Sequence, residues 1–310
     1  TVTGVQTCAL PILTLHNDGN WPRAGSIFQP NLENSEVGIV GVGASQSAIT
    51  PNNADKTPDA IREALLRYST YKISQDINIG SLTASDFGNV SHPDNQQQTI
   101  SDVAKFIPQT KTLVLLGGDN SITYSGVSAL AQNVGSVNKI GLITLDAHFD
   151  VRDGISNGSP IRQLVEAGLP GSHIVQIGIS DFANSNFYAE RVRKYGISVI
   201  TRSECEELRP IQIAEKALAI LSQCSHIYLD IDIDVCDRSV VPAAPAALPG
   251  GFTAHELREI VFHLASSSRV NTFDITEIDA TIDAPDQRTL RLAALCVLEI
   301  AAAKTGKKND

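Results

Sequence analysis

The sequence predicts an α/β protein built on a mostly parallel sheet with helices on both faces. Three observations predict it. Apolar runs of strand length alternate with helical stretches through most of the 310 residues. The runs are apolar throughout, as strands buried on both faces are. Acidic clusters follow directly on three of them, where sites in open parallel sheets lie, beyond the carboxyl ends of the strands.

Taken in order, Val37 to Val42 reads as the first buried strand, closed by Gly43. Thr57-Pro58-Asp59 opens a helix, with a hydroxyl at the cap, proline in the first turn and an acid near the positive dipole end. Ile61, Ala64, Leu65 and Tyr68 recur at helical spacing and mark its buried face. Ser91 to Gln98 is polar and reads as a surface loop, followed by a helix from Thr99 to Ile107. Leu113 to Leu116 is the next strand; it runs into Gly117-Gly118-Asp119-Asn120-Ser121 and a helix through Gln132. Strands are expected at Ile140 to Leu145, Ile174 to Ile179, Ile197 to Ile200, Ile227 to Leu229 and Thr272 to Ile275. Helices are expected at Asn184 to Lys194, Pro210 to Ser222, from the capping box Thr253-Ala254-His255-Glu256 to about Ala265, and from Thr289 to Ala303. No repeat and no linker divides this pattern.

The first dozen residues stand apart. Val2 to Ile12 matches the in-frame translation of a common sequencing adapter, and the chain contains no methionine, not even at position 1. Residues 1–12 are therefore expected to be foreign to the fold, with the native start missing and residues 13–310 forming a single domain. The formal net charge of -10 comes with no basic block, which argues against nucleic acid and anionic membranes. No apolar run is long enough to span a bilayer. Five cysteines lie scattered without CxxC spacing, which argues against a zinc ribbon or a disulfide framework and fits a reduced, cytoplasmic setting.

The chemistry concentrates in Asp146-Ala147-His148-Phe149-Asp150, Asp230-Ile231-Asp232-Ile233-Asp234 and Glu277-Ile278-Asp279. In extended chain, side chains two apart share a face. Asp146, His148 and Asp150 can therefore converge with Asp232 and Asp234 if their strands are neighbours. Carboxylates so crowded would each cost several kcal/mol on burial even after relaxation. Divalent cations remove that cost, and an oxygen-rich set with one imidazole suits Mn²⁺ better than thiophilic metals. Taken singly, each of these acids also reads as a strand-end cap or a surface ion pair; their order along the chain favours metal.

Gly117-Gly118-Asp119-Asn120-Ser121 and the three acidic stretches, in that order, resemble the ureohydrolase family of arginases, agmatinases and formimidoylglutamases. The similarity covers about Val37 to Ala303. It implies a three-layer α/β/α sandwich around a mostly parallel sheet, two Mn²⁺ ions per subunit, and assembly as a trimer or hexamer. By motif position, Asp146, His148, Asp150, Asp232 and Asp234 are implied as ligands. Asp230 stands where relatives carry a small residue and is not counted among them; Asp237 is expected to brace the loop that follows. Two departures matter. Relatives place His where this chain has Asn120, so one ion is expected to be held weakly through an amide oxygen, unless Asn120 only braces a turn. Relatives that cleave guanidines also carry a proton-shuttling His in the loop that here reads Ser156-Asn157-Gly158-Ser159. Asn157 can orient a substrate but cannot transfer a proton near neutral pH.

Gly-Gly-Asp-Asn, Ser156 to Arg162, Phe182-Ala183-Asn184-Ser185 and Pro242-Ala243-Ala244-Pro245 are together most similar to formimidoylglutamases. The resemblance implies hydrolysis of N-formimidoyl-L-glutamate to L-glutamate and formamide, in histidine degradation. A substrate with two carboxylates needs cations, and Arg152 and Arg162 lie close to the metal motif; arginine suits bidentate carboxylate binding. Arg162 also reads as a surface residue of a helix, and Asn157-Gly158 as an ordinary turn. Glu277 is expected to hold the cationic end of the amidine and Asp150 to return a proton to the leaving nitrogen. The alternatives are a guanidino hydrolase releasing urea, such as an agmatinase, and a metal-depleted binding or scaffold protein.

Overall fold

A computed structural model describes residues 18–305. Residues 1–17, which include the adapter-like stretch, and 306–310 lie outside the described residues. The chain begins with a short edge strand, β1 (Phe28–Pro30), followed by β2 (Val37–Val42), α1 (Thr57–Leu65), a small antiparallel hairpin of β3 (Tyr71–Lys72) and β4 (Ile77–Asn78), and β5 (Ala84–Asn89). Then α2 (Gln96–Phe106), β6 (Leu113–Gly117), α3 (Ile122–Val134), β7 (Ile140–Leu145), α4 (Pro160–Glu166), β8 (Ile174–Ile179), α5 (Asn186–Tyr195) and β9 (Ser198–Thr201) alternate. The chain closes with α6 (Arg202–Glu206), α7 (Pro210–Ile220), β10 (His226–Asp232), α8 (Ala254–Ala265), β11 (Val270–Thr276) and α9 (Arg288–Thr305).

Nine strands form one sheet in the order β1-β5-β2-β6-β11-β10-β7-β8-β9, and every pairing in it is parallel. Strand residues alternate between two apolar layers. Ile143, Leu145, Leu229, Ile231, Phe273 and Ile275 pack against α1 and α6 to α9. Leu142 and Tyr228 face α3 and α4 on the other side, while Val40, Val42, Leu113 and Leu115 face α2 and α3. The result is the expected three-layer sandwich, with the core split into two sheets of side chains.

Where boundaries differ from expectation, local capping explains them. Gln96 to Gln98 belong to α2 rather than to a loop, because the Asn95 side chain accepts from Gln98 N at 3.1 Å and caps the helix there. Ser185 does the same for α5, so that helix starts at Asn186 and leaves Asn184 free to act elsewhere. The short helix α6 opens on a capping box of Thr201 and Glu204. Asp237 accepts from Ser239 N at 2.8 Å and Gly250 N at 2.7 Å, and so braces the loop between β10 and α8.

Gly118 is required by close approach. A Cβ at Gly118 would lie 1.9 Å from the Ala44 carbonyl oxygen and 2.4 Å from the Ala44 nitrogen. Both are backbone atoms, so neither can swing aside. Gly118→Ala is expected to destabilise the fold by about 1–3 kcal/mol through overpacking, read as a lower urea midpoint with an unchanged slope. A midpoint equal to that of the parent would show that the two segments part without cost.

Candidate metal centre

The strands that carry the acidic stretches, β7, β10 and β11, lie side by side at the middle of the sheet. Register sets their ends level: Ile231 pairs Leu145 and Asp232 pairs Thr276. Their charged side chains therefore leave the sheet at one edge. Asp146, Asp232, Asp234 and Glu277 are all buried, and Asp150 nearly so.

Two overlapping groups result. Asp146, His148 and Asp234 form one, and Asp146, Asp150 and Asp232 the other; within each, ligand atoms lie within 4.8 Å of one another. Asp146 is common to both. His148 Nδ1 lies 3.0 Å from Asp234 Oδ2 and 3.5 Å from Asp146 Oδ1. Backbone amides pin several of the acids: His148 N donates to Asp146 Oδ1 at 2.6 Å and Asp234 N to Asp232 Oδ1 at 2.9 Å. Asp146 Oδ2 is buried without a hydrogen-bond partner. An orphaned carboxylate oxygen at the junction of two such groups fits a pair of divalent cations. The donor set of carboxylate oxygens and one imidazole fits a hard or borderline ion.

Burial dominates the electrostatics. It pushes Asp146 up to about 6, helped by the Asp234 charge, and Glu277 up to about 7. Asp150 and Asp232 are driven well above the usual carboxylate range by burial and by neighbouring acids. Burial works against charging His148, but the facing Asp234 and Asp146 outweigh it and push the imidazolium up to about 12. The metal-free folded chain thus holds protons that the unfolded chain, with carboxylates near about 4, has released. Its stability is therefore expected to fall as pH rises from about 4 to about 7. Mn²⁺ replaces those protons. The rise in thermal midpoint on adding excess Mn²⁺ should then be larger at about pH 7.5 than at about pH 5.5. An equal rise at both pH values would mean that the buried acids do not bind the ion.

Around the acids lies a cavity of about 320 Å³, whose wall includes Asn120, Asn157, Asn184, Tyr188 and Arg152. Glu277 sits at φ 61° and Asp150 at φ 50°, left-handed backbone that turns both side chains off the ends of their strands. Glu277 Oε1 accepts from Asn120 N at 2.7 Å and from Asn157 Nδ2 at 2.9 Å. Asn157 Oδ1 in turn accepts from Ile49 N at 3.0 Å, which ties the loop after β2 to the site. Asn184, displaced from its expected helix, bridges the metal loop by accepting from Phe149 N and donating to Ala147 O.

Arg152 reaches the cavity and makes no ion pair among the described residues. Arg162 does not line it, and its expected substrate role is corrected here. Its guanidinium is consumed by Arg152 O, Gly154 O and Glu166, so it braces the loop that carries Arg152. Asn120 lies at the site, with Nδ2 donating to Asp150 Oδ2 at 2.5 Å. The sequence reading missed Thr123, Tyr228 and Asp274, which lie under the site. The signal was present in the alternation Tyr228, Asp230, Asp232, which puts three polar groups on one face of a buried strand.

The arginase family model matches residues 35–303. A formimidoylglutamase of Halalkalibacterium halodurans is 33% identical, with 93% of each chain covered. One from Bacillus subtilis is also 33% identical, over 84% of each. The crystal structure of formimidoylglutamase from Bacillus subtilis superposes with a TM-score of 0.89 at 28% identity, covering 96% of both chains. A Trypanosoma cruzi formiminoglutamase solved with Mn²⁺ shares the fold, with a TM-score of 0.83 at 21% identity over 92% of this chain and 99% of its own.

Proposed function

The chain belongs to the arginase family, and from that premise we propose that it is a two-manganese amidine hydrolase converting N-formimidoyl-L-glutamate and water to L-glutamate and formamide. One observation carries the choice of substrate: the cavity has an acidic floor and, among the described residues, Arg152 as its one Lys or Arg side chain. That polarity matches a molecule with an amidinium at one end and carboxylates at the other. Agmatine, cationic at both ends, would set one charge against Arg152.

The two groups sharing Asp146 would hold the ions, and when bound these would neutralise the acids and activate water as a nucleophile near neutral pH. An ion held by Asp146, Asp150 and Asp232 would have carboxylates without the His148 imidazole and is expected to be lost first on dialysis. Glu277 Oε1 is engaged by Asn120 and Asn157, so Oε2 accepts from the amidinium and faces the reacting carbon toward the floor. Asn157 keeps one amide proton for the substrate. Arg152 takes a substrate carboxylate in a bidentate pair. Asp150 Oδ2 is held by Asn120, which leaves Oδ1 to deliver a proton to the departing glutamate nitrogen. The reading carries with it a homo-oligomer of three or six subunits in the cytoplasm; among the described residues no helix is long and apolar enough to cross a membrane.

Parallel incubation of Mn²⁺-loaded protein with N-formimidoyl-L-glutamate, arginine and agmatine tests this. Formamide release is expected from the first, with no urea from the others. Arg152→Ala should raise KM for the formimidoyl substrate by about tenfold or more, as lost charged hydrogen bonds of about 1.5–3 kcal/mol imply, with kcat nearly unchanged. Urea from arginine or agmatine would instead establish a guanidino hydrolase, and no turnover with bound metal would favour a scaffold.

A further inference from the structure

The cavity wall beside α5 carries a donor that the protein itself leaves unused. Tyr188, in the first turn of α5, lines the cavity next to Ala183, Asn184 and Ser185. Its hydroxyl makes no hydrogen bond among the described residues. Its neighbours are committed. Both ends of the Asn184 amide are taken, by Phe149 N at 2.9 Å and Ala147 O at 3.0 Å. Ser185 Oγ caps the helix by accepting from Tyr188 N at 3.3 Å.

The Tyr188 ring is held in place. It packs against the apolar cluster that includes Phe149 and Val151, and it meets Phe187 edge-on with centroids 5.4 Å apart. The Arg191 guanidinium lies 5.3 Å from its centroid. Arg191 in turn donates to Val151 O at 2.7 Å and pairs with Asp153 at 2.8 Å. Those residues flank Arg152, so a single side chain ties Tyr188 to the segment that carries the cation of the cavity. A phenol held in this way loses little freedom when its hydroxyl engages a ligand.

Exposure grades the cavity from floor to mouth. Asp146, Asp232 and Asp234 are buried, Tyr188 is half-buried and Arg152 is exposed. A substrate whose amidine carbon meets the floor keeps its α-carboxylate close to the leaving nitrogen and extends its side-chain carboxylate outward. That outer group falls at the level of Tyr188 and Arg152.

We propose that the Tyr188 hydroxyl donates to the side-chain carboxylate of the substrate, beside Arg152, and so selects for a dicarboxylic acid. The proposal rests on the reading of the site as a hydrolase of N-formimidoyl-L-glutamate. An ionised carboxylate accepts at about four lone-pair positions, of which a bidentate guanidinium fills two. A neutral hydroxyl fills another without placing a second cation in a cavity that must also receive an amidinium.

Tyr188→Phe removes the hydroxyl and keeps the ring, so the packing on Phe187 and Arg191 survives. The test measures kcat and KM of the Mn²⁺-loaded full-length parent and variant on N-formimidoyl-L-glutamate. N-formimidoyl-L-norvaline, with a methyl group in place of the side-chain carboxylate, serves as second substrate or competing ligand. The variant is expected to raise KM for the glutamate substrate about tenfold with kcat within about twofold, the loss of one hydrogen bond to a charged group. Its affinity for the norvaline analogue should match that of the parent within about twofold. An unchanged KM for the glutamate substrate, or an equal loss on both, overturns the proposal; the glutamate arm decides alone if the analogue binds too weakly to measure. Absence of formamide release by the parent would remove the proposed reaction itself. Calorimetric titration of L-glutamate into Mn²⁺-loaded parent and variant then decides the role of the hydroxyl: about tenfold weaker binding to the variant supports it, and equal binding, or none to either, overturns it.

Discussion

Asp146→Asn is expected to leave the protein folded, strip it of bound Mn²⁺ and lower turnover by roughly 10³-fold or more, the equivalent of about 4 kcal/mol of lost transition-state stabilisation. Asp146 is the one residue common to both ligand groups, so both ions lose a donor at once. An amide in its place keeps the volume, and the bond from His148 N to Oδ1 can survive. What it removes is the charge on Oδ2, the oxygen buried without any partner. The same change should make the metal-free protein more stable above about pH 6, because a buried acid pushed up to about 6 no longer has to ionise there. Metal content per chain, turnover and the metal-free thermal midpoint measure the three effects together. Two ions per chain at parent affinity would disprove the shared-ligand assignment.

Asp150→Asn should behave differently. Asp146 and Asp232 remain to hold an ion in its group, so metal is weakened rather than abolished. At saturating Mn²⁺ the variant is nevertheless expected to lose about 10²–10⁴ in kcat, the range of a general acid, since an amide cannot pass a proton to the leaving nitrogen. The basic limb of the pH–rate profile should vanish with it. A substrate whose leaving nitrogen is already a good leaving group should recover part of the loss. Near-parent turnover with both ions bound would take the acid role away from Asp150.

Much of this centre was legible before any coordinates. Asp146, His148, Asp150, Asp232 and Asp234 gather at the carboxyl edge of a parallel sheet, where strand alternation put them, but not through extended spacing: Asp234 lies in a 3-10 turn and Asp150 in left-handed backbone. The register of β7 beside β10 then brought them together as expected. What failed was whatever depends on partners remote in sequence. Arg162 reads as a free cation in a list of residues, yet its donors go to the loop that it closes around Arg152. The partners of Asn120, the hydroxyls of Thr123 and Thr276 that lie 3 and 156 positions away, were likewise out of reach of a linear reading. β5 was missed because Ser85, Asp86, Gly88 and Asn89 interrupt any apolar pattern. Asp86 belongs there because Arg62 of α1 pairs with it at 2.8 Å.

Asp150 and Glu277 both hold a backbone conformation that L-residues ordinarily avoid, at a cost of order 1–3 kcal/mol each. Glycine at either place would be more comfortable and chemically inert. Laboratory evolution that rewards only heat tolerance should therefore drift toward glycine at 150 and 277, producing sturdier lineages without activity. These two codons are the ones to sequence first when a thermostable descendant proves dead.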